Sequence, residues 1–263
     1  MWIRKLPILP TIITLLCVVI MFGLGIWQLE RKVEKDERLQ QIAERKSNQP
    51  YKLEEILNRL TRNTVDPKMA DIQDFPVTFL GKAHTDELFF IDNKIVAGKT
   101  GYQVLVPIET LSGFTVLANF GWLRGTNIRG DYPTLPTEFY ALNKNSFSEF
   151  NGVLSFPTIN KMVSETNTEF GQFPVLLQQI DTHEIEQHLS ASSLTNETKL
   201  YPIVVNLAPN TNSEFVRNWQ PVVMSPEKHL GYAAQWFGLG IAALTIYLLS
   251  LMKLFQTKNN KEN

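Results

Sequence analysis

The side chains best suited to chemistry are His229, Tyr232 and Trp236, which lie where the last apolar run of the chain begins. A helix turns by about 100° per residue, so it places the three on one stripe. Of these groups, the imidazole can exchange a proton near neutral pH or donate a nitrogen to a metal. The competing interpretation is that Tyr232 and Trp236 anchor the chain at a membrane interface while His229 is solvated. Gln235 argues against it, because an amide inside a membrane needs a polar partner.

The other three histidines, His84, His183 and His188, form no metal-binding pattern. The sequence contains neither HxxxH nor HExxH, and His183 and His188 would diverge by about 140° on a helix. We therefore expect all three to be solvated surface residues. The chain also lacks GxSxG, GxGxxG and P-loop motifs, and its carboxylates are scattered. The single cysteine, Cys17, excludes disulfides within the chain and Cys-rich metal sites. These observations predict a protein that is not an enzyme.

Two long apolar runs must position these residues. Residues 6–29 and 230–252 contain no charged side chain, and a helix of either length can span a hydrocarbon core of roughly 30 Å. No small-residue cleavage site follows the first run, which predicts an uncleaved transmembrane helix rather than a signal peptide. In the second run, Ala234, Gly238 and Ala242 form a stripe of small residues that we expect to face another helix closely.

The apolar runs divide the chain into five segments. We predict a terminal segment at 1–5, transmembrane helix 1 at 6–29, a β-rich domain at 30–229, transmembrane helix 2 at 230–252 and a tail at 253–263. Lysines and arginines flank the first run on both sides, so the positive-inside rule alone leaves the orientation open. The formal net charge is −1, and no basic stripe indicates a nucleic-acid partner.

The middle segment changes to alternating hydrophobic spacing after residue 75. Short strands between Gly, Asp and Asn turns predict an antiparallel meander or barrel rather than a parallel sheet. The expected fold class is a membrane protein of α+β type, with two transmembrane helices flanking a mainly antiparallel β domain. Asp181 and Glu184 have the spacing of a capping box and predict a helix at 182–189. The other predicted elements are a helix at 52–60, an irregular loop at 131–148, and strands at 75–79, 88–91, 102–108, 114–122, 152–156, 175–177 and 201–207.

The segment 119–122, Asn-Phe-Gly-Trp, ends one of the predicted strands. A glycine directly before a tryptophan predicts close backbone packing or a bulge at a buried corner of the barrel. A surface that binds a partner is the alternative interpretation of this segment.

Three segments, taken together, resemble the surfeit-locus family of cytochrome c oxidase assembly proteins. Residues 25–31, Gly-Ile-Trp-Gln-Leu-Glu-Arg, are similar to the family's Gly-x-Trp-Gln-x-x-Arg opening. Residues 101–107 and 116–122 are similar to its central signature, although Phe120 stands where the family usually has Arg. Residues 224–237 resemble its closing His-x-x-Tyr-Ala-x-x-Trp-Phe. The resemblance therefore runs through the chain from end to end.

The resemblance implies an assembly factor for haem–copper oxidases that handles haem a. It also implies a periplasmic domain on the bacterial inner membrane, with both termini in the cytoplasm. His229 is then the candidate ligand of the haem iron, since neutral imidazole binds iron well. Tyr232 and Trp236 would pack on the macrocycle, and Gln28 or Gln235 would meet a polar edge. The implied partners are cytochrome c oxidase subunit I, the proteins of haem a synthesis and assembly, and the lipid bilayer.

Two other functions are compatible with part of the pattern. A membrane scaffold would hold oxidase subunit I through the two helices without binding haem. A two-span sensor is not expected, because the 11 residues after the second apolar run and the five before the first leave no room for a signalling output.

Overall fold

The computed structural model describes residues 7–47, 49–62, 72–126, 131–142, 146–163, 169–192, 199–219 and 224–262. The predicted terminal segment at 1–5 lies outside these residues. The chain forms two compact units, one made by its two ends and the other by Ile42–Trp219. In chain order the elements are α1 (Ile8–Ser47), β1 (Tyr51–Lys52), α2 (Leu53–Arg62), β2 (Pro76–Ala83), β3 (Phe89–Val96), β4 (Lys99–Thr110), β5 (Phe114–Arg124), α3 (Thr137–Tyr140), β6 (Ser148–Ser155), β7 (Val175–Leu177), α4 (Thr182–Ser190), β8 (Lys199–Leu207) and α5 (Pro226–Glu262).

The first unit contains the two long helices, α1 and α5. Both are long and apolar enough to cross a membrane, over Ile8–Arg45 and Pro226–Gln256. Only 6% of the most apolar stretch of each helix is buried. So much exposed apolar surface is typical of helices that face lipid. Pro226 is the first residue of α5, where its fixed φ and missing N–H cost nothing.

The two helices approach each other closely at two glycines that face phenylalanine rings. A Cβ atom at Gly25 would lie 2.6 Å from the ring of Phe237, and one at Gly240 would lie 2.7 Å from the ring of Phe22. The two rings meet edge to face with their centroids 5.4 Å apart, a favourable aromatic arrangement. These four residues are called the glycine seam below.

The predicted stripe of Ala234, Gly238 and Ala242 does not face α1. All three residues are exposed, and a Cβ atom at Gly238 would have no neighbour within 4 Å. The packed face carries Ala233, which is 1% exposed, and Gly240. In a helix that is apolar all round, hydrophobicity does not indicate which face meets a partner.

The second unit is built around a closed barrel of five strands. β2, β6, β8, β5 and β4 pair in that order, and β4 closes the ring by pairing with β2. β5 and β8 run parallel, whereas the other pairings within the barrel are antiparallel. β3 and then β7 extend the sheet from β4, and β1 adds to β2. The predicted fold class is confirmed, as a mixed barrel in which antiparallel pairs predominate.

The barrel has an apolar interior and a second apolar layer on its outside. Along β2, the alternate residues Val77, Phe79 and Ala83 are buried, because successive side chains of a strand point to opposite faces. Leu53 and Leu57 of α2 belong to the same interior cluster. β4 and β5 are largely buried on both faces, since α4 and β7 cover their outer side. The outer cluster comprises Phe89, Ile91, Leu105, Leu117, Val175, Leu177, Ile185, Leu189, Leu200 and Val204.

Helix α4 begins where its predicted cap lies. The carboxylate of Asp181 accepts hydrogen bonds from the backbone N–H groups of His183 at 2.9 Å and Glu184 at 3.3 Å. These bonds satisfy two of the free donors of the first turn, and the helix predicted at 182–189 is confirmed. The sequence did not predict β1, nor α3, which lies inside the predicted loop at 131–148.

The segment 119–122 forms a buried bulge, as predicted. The pairing of β5 with β4 shifts between Asn119 and Gly121, which leaves Phe120 as the extra residue. Gly121 has φ of 128°, and a Cβ atom there would lie 2.8 Å from the Cβ atom of Phe215. Phe120 is 4% exposed and packs in the barrel interior, so an aromatic residue fills the place where the family usually has Arg.

Candidate functional site

His229 lies in the first turn of α5 and is enclosed within the helix pair. The imidazole is only 8% exposed. Its Nδ1 atom lies 2.6 Å from Oε1 of Gln28 on α1. A buried polar ring is costly unless it has such a partner. The hydrogen bond therefore explains how a histidine can occupy the packed face of an otherwise apolar helix.

The His229–Gln28 pair continues the face that carries the glycine seam. On α1, Gln28 follows Gly25 by three residues. On α5, Ala233 and Phe237 follow His229 by four and eight residues. Residues separated by three or four positions are neighbours on one helix face. The close packing at the seam therefore holds the imidazole and the amide opposite each other.

Charged side chains begin within one turn of Gln28 on α1. Lys32 pairs with Asp36 at 2.5 Å, and Arg31 pairs with Glu34 at 2.5 Å. The Arg31 guanidinium also lies 5.7 Å from the ring centroid of Trp27, within the range of a cation–π interaction. Such a change from apolar to charged and aromatic residues is typical of a membrane interface. The imidazole thus lies at the boundary of the apolar run.

Tyr232 and Trp236 do not join the enclosed pair. Tyr232 is 44% exposed and Trp236 is half-buried. Within the described part of the chain, neither side chain hydrogen-bonds or stacks with another residue. Gln235 is exposed. Of the two amides that the sequence singled out, Gln28 is the one beside His229. The rings of Tyr232 and Trp236 lie on the same helix, the first exposed and the second half-buried.

Among the described residues, this site offers one imidazole rather than a full set of protein ligands for a metal ion. Among the residues described, no group of three or more His, Cys, Asp or Glu side chains could hold a metal ion. A haem would require less of the protein, because its porphyrin brings most of the donors to the iron. In the described ranges, the His229 ring is hydrogen-bonded through Nδ1, to Gln28. The site therefore offers one imidazole nitrogen, Nε2, as a potential metal donor.

The remaining histidines lie in the barrel unit, and the prediction that they are solvated holds only for His183, which is exposed. His188 is fully buried, with the ring of Phe170 at a centroid distance of 4.8 Å. Neither ring nitrogen of His188 has a hydrogen-bond partner in the part of the chain described, and burial lowers its pKa. His84 is half-buried, and its Nε2 lies 3.4 Å from a carboxylate oxygen of Glu109.

Arg217 is a structural residue that the sequence did not single out. Its Nε donates to the backbone oxygen of Phe120 at 2.6 Å, and its Nη1 donates to that of Ala208 at 3.0 Å. Burial lowers the pKa of this guanidinium. Arg217 therefore ties the chain after β8 to the bulge, and an arginine lies beside position 120 although it comes from another segment. No local pattern around residue 217 indicates this role.

Comparison with known proteins identifies the family. The model of the SURF1 family matches residues 15–241, a span that includes both Gln28 and His229. The chain belongs to the SURF1 family. A SURF1-like protein of Dictyostelium discoideum is 22% identical over 262 residues, covering 90% of this chain and 94% of the relative. A SURF1-like protein of Rickettsia felis is 21% identical over 250 residues, covering 90% of this chain and 95% of the relative. The family is known for cytochrome oxidase assembly factors rather than for catalysts.

Proposed function

We propose that this protein is a membrane-bound assembly factor for cytochrome c oxidase that holds haem a for insertion into subunit I, and that His229 is the residue that would bind the haem iron. Membership of the SURF1 family supports the assembly role. The observation that carries the haem role is the enclosed imidazole at the end of an apolar helix pair. Its Nδ1 is engaged by Gln28, which leaves Nε2 as the nitrogen that can bind iron.

The surroundings of this imidazole suit a flat apolar ligand. The apolar helices offer a low-polarity surface to the macrocycle, and the adjacent charged boundary allows the polar edge of a haem to stay near water. Tyr232 and Trp236 supply aromatic rings on the same helix, which would pack on the macrocycle. When bound, the haem supplies an iron that accepts one nitrogen. A single protein ligand suits a carrier that must release its cargo.

The proposed topology has both termini in the cytoplasm and the barrel unit in the periplasm, as the family resemblance implies. A chain that crosses the membrane twice has both ends on one side. His229 and Gln28 would then lie at the periplasmic boundary of the bilayer, and the exposed apolar faces of α1 and α5 would meet lipid and the membrane helices of subunit I. The proteins of haem a synthesis are the proposed source of the haem.

The test is the absorption spectrum of the full-length protein purified from cells with and without the genes for haem a synthesis. Wild type should carry a Soret band only when those genes are present. His229→Ala should lose the band while its far-ultraviolet circular dichroism is unchanged. His183→Ala removes an exposed histidine of the barrel unit and, as the matched control, should keep the band. Wild type that binds subunit I but no pigment would support the scaffold function and contradict the haem role.

A further inference from the structure

We propose that Gln28 is a positioning residue: its amide oxygen accepts the proton on Nδ1 of His229 and thereby reserves Nε2 for the haem iron. This inference rests on the proposed function, because it concerns the same imidazole. The two residues are 201 positions apart in the chain and belong to different helices. Their hydrogen bond therefore exists only while α1 and α5 are packed together.

The geometry determines where the imidazole carries its proton. A neutral imidazole has one N–H donor and one bare nitrogen, and either nitrogen can be the donor. The Oε1 atom that lies 2.6 Å from Nδ1 can only accept a hydrogen bond. Nδ1 must therefore carry the proton, and the lone pair of Nε2 is free. Metal-binding histidines nearly always donate their second ring N–H to an oxygen acceptor, which fixes the tautomer and the ring orientation.

The position of Gln28 supports this role over that of a chance polar contact. Gln28 lies in the run at 6–29, which contains no charged side chain, and an amide there is costly without a partner. A contact that only joined two helices could use a donor or an acceptor opposite the ring. Iron binding through Nε2 requires an acceptor at Nδ1. Substitutions of Gln28 that keep or remove the acceptor can therefore distinguish a contact that only joins the helices from one that fixes the proton on Nδ1.

The glycine seam keeps the acceptor within reach of the ring. Gly25 lies one turn from Gln28 on α1, and the place of its missing Cβ is filled by the ring of Phe237, two turns from His229. A side chain at this point would push the helices apart or displace the ring. The short distance between amide and imidazole is therefore a property of the packed helix pair rather than of either helix alone.

The tautomer can be measured without haem, by nitrogen-15 NMR of histidine ring nitrogens in the full-length protein. The chain has four histidines, so the spectrum of His229→Ala identifies the His229 signals by their absence. At a pH where the ring is neutral, wild type should show the proton on Nδ1. Gln28→Leu should show a mixture of tautomers, and Gln28→Glu should restore the proton to Nδ1. A wild-type ring protonated on Nε2 would mean that the amide donates instead, and it would overturn the inference.

The effect on iron binding is measured by haem titration and by the reduction potential of the bound haem. Gln28→Leu should weaken haem binding by roughly 10- to 100-fold, the usual loss when the partner of a metal-binding histidine is removed. Gln28→Glu should retain the affinity and lower the reduction potential, because a carboxylate acceptor makes the imidazole a stronger electron donor. Gln40→Leu, which removes an exposed amide of α1 far from His229, is the matched control and should change neither value.

The possible outcomes separate this inference from the proposed function. If wild type binds no haem, the proposed function fails, and the ligand role of the pair fails with it even when the tautomer is as expected. If wild type binds haem and Gln28→Leu has the same affinity and potential, only the role of Gln28 is overturned. Loss of binding in both Gln28 variants would show that the amide merely packs. Loss in Gln28→Leu with rescue in Gln28→Glu would support the inference.

Discussion

His188 should make the barrel unit less stable in acid, and His188→Leu should remove that sensitivity. The ring is fully buried, neither nitrogen has a hydrogen-bond partner among the residues described, and the ring of Phe170 lies against it. The carboxylate of Glu184 is 3.9 Å from Nε2, too far for a hydrogen bond. Burial without compensation lowers the pKa of His188 in the folded protein. The unfolded chain therefore binds the proton more readily than the folded chain.

The size of the effect follows from proton linkage. The stability that comes from burying the neutral His188 ring is fully present at pH values above the pKa of this ring in the unfolded chain, about 6.5. It is lost as the pH falls below that value. If the folded ring stays neutral, lowering the pH from about 7.5 to about 5.5 stabilises the unfolded chain by about 1.4 kcal/mol. Burial also lowers the pKa of His84, against the opposing charge of Glu109. That contribution is present in both proteins and cancels when wild type and His188→Leu are compared.

The assay is urea unfolding of the full-length protein in detergent at both pH values, followed by tryptophan fluorescence. The free energy of unfolding should fall by about 1.4 kcal/mol more in wild type than in His188→Leu. His183→Leu removes the exposed histidine of the same helix and should keep the acid sensitivity of wild type. Hydrogen exchange of peptides from α4 would locate the change. A His188→Leu protein that loses as much stability in acid as wild type would refute the reasoning.

Two further predictions concern the helix pair and its orientation. Gly25→Ala should lower the thermal unfolding midpoint of the helix pair, because its Cβ would lie 2.6 Å from the Phe237 ring. In the control Gly23→Ala, the new Cβ meets no atom within 4 Å. This variant should be neutral or stabilising, because replacing a glycine in a helix gains up to about 1 kcal/mol. An equal fall of the unfolding midpoint in both variants would contradict the close contact at Gly25. Protease added to intact spheroplasts should cleave the barrel unit, whereas protection there and cleavage in inverted vesicles would reverse the proposed topology.

Local signals in the sequence predicted most elements of the barrel unit, but they could not predict every pairing. The alternating burial of β2 and the cap at Asp181 each depend on neighbours a few residues apart, so the sequence alone carries them. The parallel pairing of β5 with β8 joins distant segments, and no turn sequence indicates it. β1 and α3 have two and four residues, too few for a periodic pattern to show.

The faces of the helices were harder to predict than their positions. On α4 the signal was present. Ile185 and Leu189 are buried and lie four residues apart, and His188 follows Ile185 by three residues. His188 therefore shares their core face, whereas His183 does not. On α5 the residues are apolar on every side. Nothing local distinguishes Gly238, which meets nothing, from Gly240, which receives the ring of Phe22.

The candidate site depends on the hydrogen bond between Gln28 and His229, which cannot be predicted from the sequence around either residue. Considered alone, Gln28 is a polar residue at a membrane boundary, and His229 is a histidine in the first turn of a helix. Their hydrogen bond needs α1 and α5 in a single register, which Gly25 and Gly240 determine by admitting phenylalanine rings. A change in the seam should therefore alter the tautomer of His229 without touching it. The chemical properties of the imidazole consequently belong to the helix pair, and a search of the sequence around His229 could identify the ligand but not its partner.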